Sequence, residues 1–206
     1  MSGGETAAEA HAILAEIAEA TFDREHAAAE LDTAIASFVD LAVDERGAEW
    51  RVPTEGNRLL ARAAELAIAR ANLFDRTGQP AAAAADWQRA HQLAQPHAPE
   101  LARDAARTML DRAGDDAGTE RRWIDAVLAT RPPQPERAIL LVRRADVRRR
   151  ERTPDIAAAI ADLHEALRIT ENLEDETDPA VTDTRRRAYQ LEADLLAQSG
   201  DRRARA

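Results

Sequence analysis

The sequence contains no cysteine, which excludes disulfides and thiolate metal sites. Aromatic residues are scarce, at 3%, and alternating runs of Val, Ile, Thr and aromatics, the signature of strands, are missing. No apolar stretch approaches the ~20 residues needed to cross a bilayer. The opening "MSGGETAAEAHAILAEIAEA" lacks a basic start and a continuous apolar core, so it does not read as a secretory signal. Its "GGE" reads as a tail. No glycine-rich phosphate loop is present, and no serine sits in a nucleophile elbow. These absences lead us to expect a cytoplasmic protein that is not an enzyme and needs no cofactor or metal.

What is present favours helices. Ala, Arg, Leu and Glu are abundant, all with high helix propensity, and 32% of the 206 residues are charged. Formal net charge is −10. Residues 1–100 hold 17 acidic and 8 basic side chains, and residues 101–206 hold 21 and 20. An acidic chain must overcome phosphate repulsion, which makes nucleic acid a poor partner.

Glycine and proline divide the chain. Breaks are expected near Thr21–Asp23, Gly47–Pro53, Gly78–Pro80, Pro96–Pro99, Gly114–Gly118, Pro132–Pro135, Thr153–Asp155, Glu174–Pro179 and Gly200–Asp201. Between them lie segments with apolar residues three and four apart, the amphipathic helix pattern. Leu59, Ala63, Leu66, Ala67, Arg70, Ala71 and Phe74, recurring at helical spacing, are the clearest example. Thr54, Thr153 and Asp178 stand where N-caps belong, and Pro99, Pro135 and Pro154 suit helix starts. The expectation is about nine helices, antiparallel to their neighbours because the loops are short. On periodicity alone a plain helical bundle would serve as well.

Internal repeats favour stacked hairpins. "ANLFDRTGQPAAAAADWQRAHQLAQP" can be laid on "RTMLDRAGDDAGTERRWIDAVLATRP": Phe74 meets Leu110, Gly78 meets Gly114, Trp87 meets Trp123, Ala90 meets Ala126 and Pro96 meets Pro132, each 36 positions apart. "RADVRRRERTPDIAAAIADLHEALRI" is a third copy. It aligns Ala145 with Ala71 and Asp162-Leu163 with Asp86-Trp87, with a longer loop and no closing glycine. In "AYQLEADLLAQSGD", Ala193, Leu196 and Gly200 occupy the slots of Ala71, Phe74 and Gly78. At the front, Ala27, Leu31 and Ala34 repeat the spacing of Ala83, Trp87 and Ala90.

This pattern resembles the tetratricopeptide repeat family, whose unit is a helix–turn–helix of roughly 34 residues. Ala71, Phe74, Gly78, Ala83, Trp87 and Ala90 fill its small, aromatic, turn and small–large–small positions. Arg107 and Thr119 depart from the small slots of the second unit. Arg148 stands where the third expects an aromatic, so Val147 is expected to turn inward instead. The resemblance implies an all-α, right-handed solenoid of antiparallel hairpins over one domain, 1–206. Its parts are a divergent hairpin at 6–45, hairpins at 54–96, 98–132 and 135–173, and a C-terminal helix or incomplete repeat at 178–206. Either that last helix caps the array or a tenth helix is cut short. An unpaired apolar face on it would favour self-association or docking.

The resemblance also implies a protein- or peptide-binding scaffold whose first helices line a groove. The positions expected there are Ile68, Asn72, Asp75 and Arg76, then Asp104, Thr108, Asp111 and Arg112, then Val142, Asp146, Arg149 and Arg150. A regulatory or sensor subunit of an enzyme system is the rival reading. A second alternative is a basic patch for an anionic partner on "RRADVRRRER", Arg143 to Arg152, centred on Arg143, Arg144 and Arg148; against it, these arginines can pair with nearby carboxylates. The histidines, His11, His26, His91, His97 and His164, lack the four-residue spacing of a helical metal pair. Glu171, Glu174, Asp175, Glu176 and Asp178 read as a solvated acidic loop rather than a calcium loop.

Overall fold

The computed structural model describes residues 3–47, 53–95, 97–173 and 178–204. The fold is all-α. In chain order the helices are α1 (Gly3–Ala20), α2 (Arg24–Gly47), α3 (Pro53–Arg76), α4 (Pro80–Ala94), α5 (Pro99–Asp111), α6 (Ala117–Ala129), α7 (Gln134–Arg150), α8 (Ile156–Glu171) and α9 (Pro179–Ala204). They gather in two compact units, Met1–Met109 and Leu110–Ala206, with the boundary inside α5.

In the first unit each helix from α1 to α4 packs on the next. Alanines make the close approach possible. Ala63, Ala67 and Ala71 on α3 and Ala83 and Ala90 on α4 have no exposed surface, and Trp87 fills the space between them at 7% exposure. Small residues opposite a large one is how ridges enter grooves. Three ion pairs also tie α1 to α3: Glu5 with Arg58, Glu9 with Arg62, and Glu19 with Arg76.

In the second unit α6–α7, α7–α8 and α8–α9 pack in sequence, and α7 also touches α9. The core of these helices joins Leu141, Val142 and Ala145 of α7 to Leu163, Ala166 and Ile169 of α8 and Ala188, Leu191 and Leu195 of α9. Trp123 on α6 is 3% exposed, matching Trp87. Val147 is buried as expected, while Arg148 turns to Asp162. On α5 the buried small residue is Ala106 rather than Arg107, which is exposed.

Two of the turns are made at glycines. Gly78 has φ 73° and Gly114 φ 59°. At the end of α3, Gln79 N–H donates to the Phe74 carbonyl at 2.8 Å and Gly78 N–H to that of Asp75 at 3.2 Å. That pair of bonds is the Schellman ending, which needs a left-handed residue. The same bonds close α1, where Asp23 N–H donates to Ala18 and Phe22 N–H to Glu19. The left-handed residue there is Phe22, at φ 63°.

Several boundaries differ from expectation. Gly3 lies in α1, not in a tail. Thr54 is inside α3, and Thr153 and Pro154 precede the true cap of α8, Asp155, whose carboxylate accepts from Ala158 N–H at 3.0 Å. Asp178 does act as a cap, accepting from Ala180 N–H at 2.8 Å. No turn forms at Gly200–Asp201, because α9 runs through it. A glycine inside a helix costs only about 1 kcal/mol relative to alanine, so it permits a turn without forcing one.

Candidate functional site

Helix α9 is anchored by a stripe at three- and four-residue spacing, namely Val181, Thr184, Ala188, Leu191 and Leu195, all buried. That stripe holds α9 beside α7 and leaves a cleft of ≈470 Å³ walled by α6, α7 and α9. Its apolar lining is Ile139 and Val142, and its charged lining is Glu120, Arg143, Asp146, Arg150, Asp183 and Arg187.

Most of these charges already answer one another. The buried Glu120 carboxylate accepts from Arg143 Nε at 2.7 Å and from Arg150 Nη2 at 2.6 Å. Burial pushes the Glu120 carboxyl up, but the two guanidinium hydrogen bonds outweigh it and hold it below the ordinary carboxylate range. The bond to Glu120 is also the main reason the Arg150 guanidinium is held more firmly protonated than usual. Asp146 accepts from Arg149 at 2.8 Å and from Arg150 at 3.3 Å. Asp183 pairs with Arg186 at 2.9 Å. Arg187 is the exception: it is exposed and has no carboxylate partner among the described residues. It also borders an adjoining depression of ≈210 Å³ lined by Asp146, Arg149, Gln190 and Asp194.

Of the expected groove residues on α7, Val142, Asp146 and Arg150 line the cleft, and Arg149 lines the adjoining depression. Arg143 joins them. Arg144 and Arg148 do not, because a helix turns about 100° per residue and sends them to the other side of α7. There Arg144 grips both oxygens of Asp162, at 2.9 and 2.6 Å, and reaches Asp125 at 2.6 Å, while Arg148 contacts Asp162 at 3.1 Å. The three arginines therefore do not form one basic patch.

In the first unit Asn72, Asp75 and Arg76 line a shallow depression with Glu19 and Ala69. Asp75 accepts from Trp87 Nε1 at 3.3 Å, and Arg76 pairs with Glu19. Ile68 is half-buried and packs on the core instead. Asp104 pairs with Arg107 at 3.4 Å, and the Thr108 hydroxyl donates to the Asp104 carbonyl at 3.0 Å. Asp111 and Arg112 are exposed at the end of α5. These four line neither the cleft nor the shallow depression.

Sequence reasoning missed Glu120, Ile139, Asp183 and Thr184, while Arg187 was legible only as one of three consecutive arginines, Arg185, Arg186 and Arg187. The repeat register did hold part of the signal. Carried from Ala71 to Ala193, it places Gln190 and Asp194 in the groove, where they sit beside Arg149. Glu120 belongs to a second helix, and its arrival in the cleft depends on how α6 meets α7.

Among the described residues, no three His, Cys, Asp or Glu side chains are placed to hold a metal ion. His11 contacts Glu30 at 2.5 Å, His164 contacts Glu192 at 2.6 Å, and the buried His91 ring meets the Ala102 carbonyl at 3.0 Å. Glu174, Asp175 and Glu176 of the acidic loop lie outside the described residues. Exposed apolar side chains on α9 are Tyr189 and Leu196. Among the described residues, no helix is long and apolar enough to cross a membrane.

No family model matches the chain, and no curated protein matches it. Among solved structures, the DHF58 filament is similar to it at 18% identity, covering 96% of this chain and 95% of that one, with a TM-score of 0.28; a likeness that low carries no argument about fold or function.

Proposed function

We propose that this protein is a non-catalytic, cytoplasmic binding module of the tetratricopeptide-like kind, and that the cleft between α7 and α9 takes a peptide segment of another protein. The observation that carries this reading is the pairing of an exposed apolar lining, Ile139, with a cation, Arg187, that has no carboxylate partner among the described residues. The remaining charges of the cleft each have a partner of opposite sign and form its rim. Such a surface suits an extended segment that offers an aliphatic side chain next to an acidic one.

The test is to pan a displayed random-peptide library on the full chain and to titrate the selected peptides by calorimetry. Peptides pairing an acidic with an aliphatic residue should be enriched. Arg187→Ala should weaken them by roughly tenfold to a hundredfold, the range for a hydrogen bond to a charged group. Ile139→Asp should abolish binding, and Arg168→Ala, on the exposed face of α8, should leave it unchanged. Enrichment of no peptide, or binding indifferent to both cleft substitutions, would refute the reading.

A further inference from the structure

Helix α1 is apolar on two opposite faces. Ala8, Ala12, Ala15 and Ala18 are buried against the rest of the first unit. The face turned away carries the larger side chains: Ile13 is 55% exposed, Ile17 54% and Leu14 43%, with Ala7, Ala10 and Ala20 exposed around them. This reverses the usual order, in which a surface helix buries its large apolar residues and shows its polar ones. Glu5, Glu9 and Glu19 of α1 reach Arg58, Arg62 and Arg76 on α3 and so leave the outer stripe clear, while Glu16 is exposed at its edge. Just beyond the helix, the left-handed turn holds the Phe22 ring 83% exposed and extends the apolar surface past Ala20. Contiguous exposed apolar surface of this kind marks an interaction site.

We infer that this face binds a second copy of the chain, with the two α1 helices packed antiparallel across a two-fold axis. The order of residues selects this occupant. Along the middle of the stripe stand Ala10, Ile13, Ile17 and Ala20, spaced three, four and three. That order reads the same in both directions about position 15. A two-fold axis there places Ile13 opposite Ile17 of the second copy and Ala10 opposite Ala20, which is the self-complementarity a symmetric dimer requires. Spacing of three and four is also the seam of paired helices. The exposed apolar residues of α9, Tyr189 and Leu196, lack such symmetry, and Arg186 stands one turn before Tyr189. The dimer does not depend on the α7–α9 cleft, because α1 belongs to the other unit.

Sedimentation velocity across a dilution series tests the association. The full chain should pass from monomer to dimer, and Ile17→Glu, with helix content checked by circular dichroism, should raise the Kd by roughly a hundredfold or more, since each dimer carries the substitution twice. Two chains of net charge −10 joined by an apolar face should also associate more tightly as salt screens their repulsion. The register is tested by disulfides, since the native chain has no cysteine. Ile13→Cys and Ile17→Cys, mixed in equal amounts and oxidised, should cross-link faster than either variant alone and faster than Ser37→Cys on α2. A chain that stays monomeric at every concentration overturns the inference. So does a dimer untouched by Ile17→Glu or by the milder Ile17→Ser, one weakened by salt, or cross-linking no faster than that of Ser37→Cys.

Discussion

Arg70 on α3 holds both carboxylate oxygens of Asp86 on α4, at 2.8 and 2.7 Å, with both side chains nearly buried. The same guanidinium reaches Asp32 on α2. Burial works against the charge on Arg70, but its hydrogen bonds to Asp86 and Asp32 outweigh that and hold it more firmly protonated than usual. Arg144 and Asp162 repeat the bidentate pair in the hairpin α7–α8. At the corresponding places of the second repeat stand Ala106 and Arg122, and there the guanidinium of Arg122 lies over the Trp123 ring instead.

Breaking the Arg70–Asp86 pair from one side should therefore cost far more than removing it. Arg70→Ala strands a buried carboxylate, and a loss of about 3–5 kcal/mol is expected. Arg70→Met with Asp86→Leu should recover most of that loss, because two apolar residues need no partner. Urea denaturation of the two single variants and the double variant measures the cycle. Single and double variants that lose equal stability would show that the pair is not coupled.

Trp87 and Trp123 occupy matching slots and are both buried. Trp87→Ala and Trp123→Ala should each cost about 3–5 kcal/mol, the usual range for emptying a tryptophan site. An unchanged urea midpoint for either variant would contradict the shared packing role.

The two Schellman turns predict opposite signs. Gly78 sits at φ 73° with open space where a Cβ would go, so its constraint is the backbone conformation and not crowding. Gly78→Val should destabilise by roughly 1–2 kcal/mol or more. Phe22 holds the same conformation with a side chain that buries little, so Phe22→Gly should raise the melting temperature of the monomer, by up to about 1 kcal/mol in stability. A lowered melting temperature for Phe22→Gly would show that the ring is packed in solution.

Acid should weaken the second unit through Glu120. Its folded pKa lies below the ordinary 4.5 because the Arg143 and Arg150 hydrogen bonds outweigh burial. A depressed folded pKa gives stability that is complete above the unfolded value and lost as pH falls through the folded one. Glu120→Gln should therefore be less stable than the native chain at neutral pH, with the difference shrinking as the pH drops below 4.5. Parallel thermal melts across that range test this, and a constant difference would remove Glu120 from the acid response.

The helices, most of their ends and the matched tryptophans were legible in the sequence because they rest on local chemistry. Three- and four-residue spacing, alanine propensity and a glycine that can turn left-handed all act over a few neighbouring positions. The fate of the charges was not legible. "RRADVRRRER" looks uniformly basic, yet Arg143 and Arg150 meet at Glu120 of α6, while Arg144 and Arg148 meet at Asp162 of α8. Only the packing of three helices decides which carboxylate lies within reach of each guanidinium, so only the tertiary structure shows that the cleft is a rim of satisfied pairs around Arg187. The same holds for Phe22. Its sequence neighbours suggest an ordinary break, and the left-handed turn arises because the chain must reverse within three residues for α2 to pack on α1. Sequence alone determined most of where this chain is helical and most of where it turns. The tertiary structure decided which faces those helices share and which charges and apolar side chains remain open, because these depend on contacts between residues far apart along the chain.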